Sequence, residues 1–219
     1  SLGGSIIVPD KINVSFLKKF RKMVLSLVKK GHRFVLVTGG GQTNRIYNQA
    51  AKKITKVKDI DLDWLGIAAT QINAEFIRVI FSDQAYKKVI TNPTKKVKTS
   101  KKIIVGSGWR PGCSSDKDTV LLAKQFKAKT VINLFDKDYV YDKDPDKYQS
   151  ARPLKEISWN DYLKIIGTKW RPRLSTPFDP AASKLAQKNN IEVVIIKGTN
   201  LKNLAAYFSG KNYKGTVIK

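Results

Sequence analysis

The chain has 219 residues, 42% of them hydrophobic, and a formal net charge of +25 from 42 Lys and Arg against 17 Asp and Glu. That length supports one substantial core, no Pro/Gly/Ser-rich linker divides it, and no apolar run is long enough to cross a bilayer. A single cysteine, Cys113, and a single histidine, His32, exclude a disulfide framework and a Cys/His zinc site.

The first segment, Leu2 to Val8, reads as a strand interrupted by Gly3-Gly4. It opens without a methionine, so upstream residues are expected; the start as given has no basic stretch followed by an apolar core, so a cytoplasmic protein is expected. Val14 to Lys30 carries Phe16, Leu17, Phe20, Val24, Leu27 and Val28 at helical spacing and ends at Gly31, a natural C-terminal cap.

Phe34-Val35-Leu36-Val37 is an uninterrupted β-prone run, as in a parallel strand buried on both faces, and it empties into Gly39-Gly40-Gly41. Glycines without a Cβ let amide groups close on an anion. The helix expected from Thr43 to Lys53 would aim its positive end there, with Arg45 available for a bidentate grip. A plain strand-to-helix connection is the alternative, since the loop is neither GxGxxG nor a P-loop.

Leu62 to Phe81 is a second amphipathic segment, with Asp63, Thr70 and Asn73 as its notable polar residues. Gln84 to Lys102 is expected to hold a short strand and a connection. It contains the densest basic cluster, Lys95, Lys96, Lys98, Lys101 and Lys102. With no interleaved aromatics and no reading module, the cluster reads as a solvated lysine-rich surface with non-specific affinity for polyanions at low salt.

Lys102 to Val105 reads as a strand leading into a second glycine-rich loop, Gly106 to Asp116, ahead of a helix from Thr119 to Phe126. Ser114, Ser115 and Asp116 suit helix caps at that position. After the strand Thr130 to Leu134, acids and aromatics alternate from Phe135 to Pro145, which suits either a nucleotide edge or a polar hairpin.

Ser158 caps a helix from Trp159 to Ile166. An Arg- and Pro-rich loop, 169–177, leads to Asp179-Pro180, a capping carboxylate at another helix start. A strand from Ile191 to Lys197, a helix from Asn200 to Phe208 and a strand from Thr216 to Ile218 complete the chain. Strand and helix alternate throughout, so a three-layer α/β/α sandwich with a mainly parallel central sheet is expected, its ligands at the strands' C-terminal ends.

Six groups taken in order, Gly3-Gly4-Ser5, Val37 to Gly41 with Arg45, Leu65-Gly66-Ile67 through Asn73, Gly106 through Gly112 to Ser115-Asp116, Val140-Tyr141 with Asp144-Pro145, and Asp179-Pro180 with Lys184, resemble the amino acid kinase superfamily. Within it they resemble the uridylate kinases of archaeal type, over essentially the whole chain. The resemblance implies a single domain over 1–219, with an acceptor-binding part near 1–128 and an ATP-binding part near 129–219. It also implies transfer of the ATP γ-phosphoryl group to UMP in pyrimidine biosynthesis. Such a reaction needs positioning and charge stabilisation, and no general base, because a phosphomonoester is already largely ionised near neutral pH.

The same resemblance assigns the residues. Gly39, Gly40 and Arg45 hold the UMP phosphate, Asp63 its ribose, and Ser114 and Ser115 face the uridine. Gly3, Gly4 and Ser5 lie against the transferring group, with Asp138 near the triphosphate and its Mg²⁺. Tyr141, Asp144 and Pro145 hold the adenosine. Asp179, Lys184, Gly4 and Arg45 form the catalytic set, no side chain is assigned to the metal, and a homohexamer built from dimers is implied, with the Leu62 to Phe81 helix contributing.

Ser1 stands where many members carry a lysine, so another cation must act; Tyr139 replaces a glycine and Asp136 a smaller or neutral residue. Isopentenyl phosphate kinases, which place a histidine after the glycine triplet, meet Gln42-Thr43-Asn44-Arg45 here. A nucleotide-binding relative akin to the molybdenum storage proteins, or a basic polyanion-binding protein on the same scaffold, would also be compatible with these residues.

Overall fold

The computed structural model describes residues 1–169 and 176–219, so the Arg- and Pro-rich connection expected over 169–177 lies largely outside the described residues. Eight helices and eight strands alternate among them: α1 Gly4–Ile7, α2 Val14–Lys29, β1 Phe34–Val37, α3 Gly41–Ile54, α4 Asp59–Ile80, β2 Ile103–Gly106, α5 Ser115–Gln125 and β3 Thr130–Phe135 form the first half. The second half is β4 Val140–Tyr141, β5 Pro153–Leu154, β6 Glu156–Ile157, α6 Trp159–Ile166, α7 Pro180–Lys188, β7 Glu192–Lys197, α8 Leu201–Phe208 and β8 Thr216–Ile218. Among the described residues no helix is long and apolar enough to cross a membrane.

The central sheet is built in two pieces. β1 and β2 pair in parallel, and β3-β7-β8-β6 form the larger piece, parallel except at the antiparallel β7–β8 pair. A single residue joins them, because Leu2 makes parallel bridges to both Thr38 and Leu134. Beyond β2, the segment expected to hold a short strand contributes two isolated bridges, Ala85 to Ile103 and Ile90 to Gly106.

Alternation along these doubly buried strands feeds two apolar layers. Leu36, Ile103, Val105, Leu134, Val194 and Ile196 face α2, α8 and the end of α4. On the opposite face, Val131, Val193, Ile195 and Ile218 meet α5, α6 and α7. The expected three-layer architecture with a mainly parallel sheet is the one observed.

One expected element is different. The strand read over Leu2 to Val8 reduces to the bridging residue Leu2, and Gly4–Ile7 forms a short helix. A short apolar run carries no period of its own, so its partners decide. Here Ile6, Ile7 and Val8 all turn into the α2 layer, which a strand's two-sided alternation would not allow.

Candidate functional site

Because Leu2, β1, β2 and β3 run parallel, their C-terminal ends share one edge, and the loops leaving them form a common crevice. Gly3-Gly4 and Gly39-Gly40-Gly41 meet there backbone to backbone. A Cβ added at Gly4 would lie 2.0 Å from Gly41 N and 2.6 Å from the Gly39 carbonyl carbon; one added at Gly39 would lie 2.6 Å from Gly4 N. Gly41 opens α3 with φ +61, in the left-handed region where a side chain is also strained. From α4, the Asn73 amide donates to Gly39 O at 2.8 Å and to Gly40 O at 3.1 Å and so fixes the triplet from behind.

The loop after β2 is held from the same helix. Thr70 Oγ1 accepts from Gly108 N at 2.8 Å, while its carbonyl accepts from Thr38 Oγ1 at 2.9 Å. Thr70 thus links the ends of β1 and β2. On the other side, Asp118 Oδ2 accepts from Trp109 N at 3.1 Å, and the Arg110 guanidinium lies over the Trp109 ring, 4.1 Å from its centroid.

A third group of residues closes the crevice. Ser114 caps α5, accepting from Lys117 N at 3.0 Å, and Asp179 caps α7, accepting from Ala181 N and Ala182 N at 2.7 and 2.9 Å. The two caps touch, because Ser114 Oγ donates to Asp179 Oδ2. Asp116 Oδ2 accepts from Asp179 N at 3.2 Å. Both helices therefore point the positive ends of their dipoles at one place, where an anion is favoured.

Buried supports aim Asp179. Phe178 N donates to the Tyr162 hydroxyl at 2.7 Å, the same hydroxyl donates to Phe178 O at 2.8 Å, and Asn133 of β3 donates to Pro177 O at 2.6 Å. Burial raises the Tyr162 phenol well above its ordinary value. Desolvation, then the Asp179 charge, pushes the Asp116 carboxyl up to about 7. Desolvation does the same for Asp118, whose Oδ1 is buried without a partner.

After β3, residues 136–148 form a polar excursion pinned by the β4–β5 pair and by Val140 N, which donates to Thr216 Oγ1 at 2.8 Å. Tyr139 and Tyr141 meet edge to face with centroids 6.4 Å apart. Asp138 is half-buried and carries no hydrogen-bond partner among the described residues. The Asp144 carboxylate accepts from Asp146 N at 3.0 Å and organises the turn containing Pro145.

The structure thus gathers Gly3, Gly4 and Gly39 in one contact together with Gly41, while the Cα of Gly40 faces Asn44 and Ala69, and it gathers Ser114 and Asp179 in another, with Ser115 opening α5 beside them. It does not bring every expected residue to these contacts. Arg45 is exposed on α3, donating to Gln42 Oε1 at 2.6 Å; Lys184 is exposed and donates to Thr168 O at 3.0 Å. Ser5 is exposed on α1, and Asp63 is half-buried on α4. Thr70, Asp118 and Tyr162 lie outside the residues the sequence singles out as ligands, since each acts through a contact distant in sequence; the helical spacing of Thr70 and Asn73 was the available signal.

The family model for the amino acid kinase family matches residues 1–197. A uridylate kinase of Pyrococcus abyssi is 32% identical over 221 residues, covering 100% of this chain and 97% of that protein. One of Sulfurisphaera tokodaii is 29% identical, covering 96% of this chain and 94% of that protein. The crystal structure of uridylate kinase from Archaeoglobus fulgidus superposes with a TM-score of 0.84 at 29% identity, covering 100% of this chain and 98% of that one. The glycine loops, the α5–α7 cap contact and this full-length match lead to one conclusion: the chain belongs to the amino acid kinase family.

Proposed function

We propose that the chain is a uridylate kinase, transferring the γ-phosphoryl group of ATP to UMP to give UDP and ADP. The observation that carries this reading is the meeting of the α5 and α7 N-terminal caps, through Ser114 and Asp179, beside the two interlocked glycine loops. Similarity to uridylate kinases over the whole chain supports the choice of acceptor.

A UMP phosphate oxygen attacks the γ-phosphorus; the bond to the bridging oxygen breaks, and ADP leaves with that electron pair. The chain's task is to hold two anions close and in line. In this reading Gly39 and Gly40 present amides to the UMP phosphate, and Arg45 leaves its Gln42 contact to grip it. Asp63 accepts from the ribose hydroxyls, and Ser114 and Ser115 face the uridine. Gly3, Gly4 and Ser5 line the path of the transferring group; Tyr141, Asp144 and Pro145 border the adenosine. Asp179 orients donors around the phosphates. Lys184 supplies positive charge after leaving Thr168 O, in place of the lysine that Ser1 replaces.

Among the described residues no three His, Cys, Asp or Glu side chains gather as a metal cage. Mg²⁺ would be held chiefly by the substrates' phosphates, and Asp138, half-buried, is the residue that would take part in holding it. When bound, it neutralises charge on the transferring phosphoryl oxygens.

The acceptor part spans about 1–128 and the ATP part about 129–219. α3 buries none of its residues and exposes Ile46, Tyr47 and Ile54, while α4 exposes Trp64, Ile72 and Val79, an apolar face suited to a homo-oligomer, a hexamer by resemblance. Sedimentation equilibrium reads that mass directly, and a monomer at micromolar concentration would withdraw the assembly. In this reading the protein serves pyrimidine nucleotide synthesis in the cytoplasm.

The test is ADP formation with ATP and Mg²⁺ on UMP, CMP, AMP and isopentenyl phosphate, repeated with Asp179→Asn. Turnover on UMP that falls by about 10²–10³ in the variant is expected, the loss typical of one transition-state contact. Turnover on another acceptor in preference to UMP, or on none, overturns the reading.

A further inference from the structure

Tyr139 and Tyr141 stand on the excursion that leaves β3 at the crevice edge. Val140, between them, is 2% exposed and packs in the layer of α5, α6 and α7, so strand alternation turns both rings to the other side of β4. The strand is fixed against rolling: Val140 pairs with Leu154 and Tyr141 with Pro153, and Val140 N donates to Thr216 Oγ1 at 2.8 Å. Across the same excursion Lys137 Nζ bonds both carboxylate oxygens of Asp146, at 2.5 and 2.6 Å.

Both rings are half-buried, and their centroids lie 6.4 Å apart at an interplanar angle of 86°. Among the described residues neither ring joins an apolar layer of the sheet, and neither hydroxyl has a hydrogen-bond partner. The pair is thus placed by its backbone and keeps aromatic surface open to water. A strand as short as β4 gains little from a second ring that touches only the first. Beside Tyr139, the half-buried Asp138 carboxylate is also without a partner among the described residues.

We propose that Tyr139 joins Tyr141 in an aromatic corner for the base of the phosphoryl donor, a purine nucleoside triphosphate. This assignment rests on the kinase reading for the donor's class and adds Tyr139, which that reading leaves unused. A base stacked flat on one tyrosine is perpendicular to the other, as the first tyrosine already is. It therefore repeats toward the second ring the edge-to-face contact that the pair displays. Stacking reads the face of a base and not its hydrogen-bonding edge, so adenine and guanine are held alike, and a two-ring purine is held better than a one-ring pyrimidine. Because the pairing of β4 sets both rings before a ligand arrives, binding spends little on ordering them.

The experiment is calorimetric titration with ATP, GTP, CTP and inorganic tripolyphosphate, each with Mg²⁺ and without acceptor, of the unaltered chain and of Tyr139→Phe, Tyr139→Leu and Tyr139→Ala. Since Tyr139 lies off the core, all three variants should unfold in urea at the midpoint of the unaltered chain. Tyr139→Ala should weaken ATP and GTP about 10- to 100-fold and CTP less, and should leave tripolyphosphate within about 2-fold. Tyr139→Leu should fall between, and Tyr139→Phe should keep the affinity. Unchanged ATP binding in Tyr139→Ala overturns the corner, and tighter binding does so by showing that the ring obstructs the site. An equal loss for tripolyphosphate overturns it as well, because the ring would then act on the phosphates or the fold. A loss in Tyr139→Phe equal to that in Tyr139→Ala would move the role to the hydroxyl and overturn stacking; CTP bound as tightly as ATP overturns the purine preference. ATP binding that depends on Tyr139 in a chain that phosphorylates no UMP upholds the corner and withdraws the uridylate kinase reading, whereas no binding of any of the three nucleotides overturns both.

Discussion

The crevice has two walls built on opposite principles. Around Gly4 and Gly39–Gly41 the chain succeeds by having no side chains, so that two backbones approach within the radius a Cβ would occupy. Around Ser114, Asp116 and Asp179 it succeeds by side chains that bond one another and the backbone, with hydroxyl, carboxylate and backbone amide linking two helix caps. A steric contact of the first kind fails abruptly. A hydrogen-bonded cluster of the second kind fails in steps, and its strength follows pH.

The largest expected effect comes from breaking the first wall. Gly4→Ala places a methyl 2.0 Å from Gly41 N, where only backbone can move. Overpacking typically costs 1–3 kcal/mol and backbone displacement lies at or above the top of that range, so a loss of about 3 kcal/mol is expected. ADP formation should fall at least about 100-fold, and denaturant unfolding with the kinase assay reads both. A variant of wild-type stability and activity would show that the two loops can separate.

Tyr162→Phe tests the support of the second wall. It deletes the hydroxyl that serves both Phe178 N and Phe178 O and leaves two buried backbone groups unpaired, at about 1–3 kcal/mol. A smaller fall in kcat than for Gly4→Ala is expected, because the Asp179 cap bonds survive. Unchanged stability would mean that water replaces the hydroxyl.

The smallest effect, and the sharpest separation of the walls, is in pH. Asp116 and Asp118 rise from 3.8 to about 7 on folding, so between about pH 4 and 7 the folded chain holds protons the unfolded chain has released, and stability falls as pH rises. A net fall from pH 5 to 7 is expected in urea unfolding. Asp116→Asn combined with Asp118→Asn should flatten that slope, whereas Gly4→Ala should leave it unchanged.

Periodicity located most elements. The helix Trp159–Ile166 and the strand Thr216–Ile218 have the bounds read from sequence, because a capping serine and a β-branched run are local signals. Glycine position likewise marked both halves of the steric wall. The short Gly4–Ile7 helix was not legible as such, since four apolar residues carry no period, and the bridges at Ala85 and Ile90 depend on a neighbouring edge. Arg45 and Lys184 were placed by motif, yet each donates to a local oxygen. Long flexible side chains take whatever acceptor lies within reach.

The alternation of strand and helix, the glycine positions and the cap residues were thus readable from the residues alone, because each is set by backbone preferences within a few neighbours. Packing across the whole chain was needed to set β8 between β7, to which it is antiparallel, and β6, to which it is parallel, to make Leu2 join two sheets, and to bring Ser114 and Asp116 to Asp179 across more than sixty residues. Those outcomes rest on burying two apolar layers against one sheet and pairing every enclosed polar group, conditions that no short stretch of chain can satisfy alone.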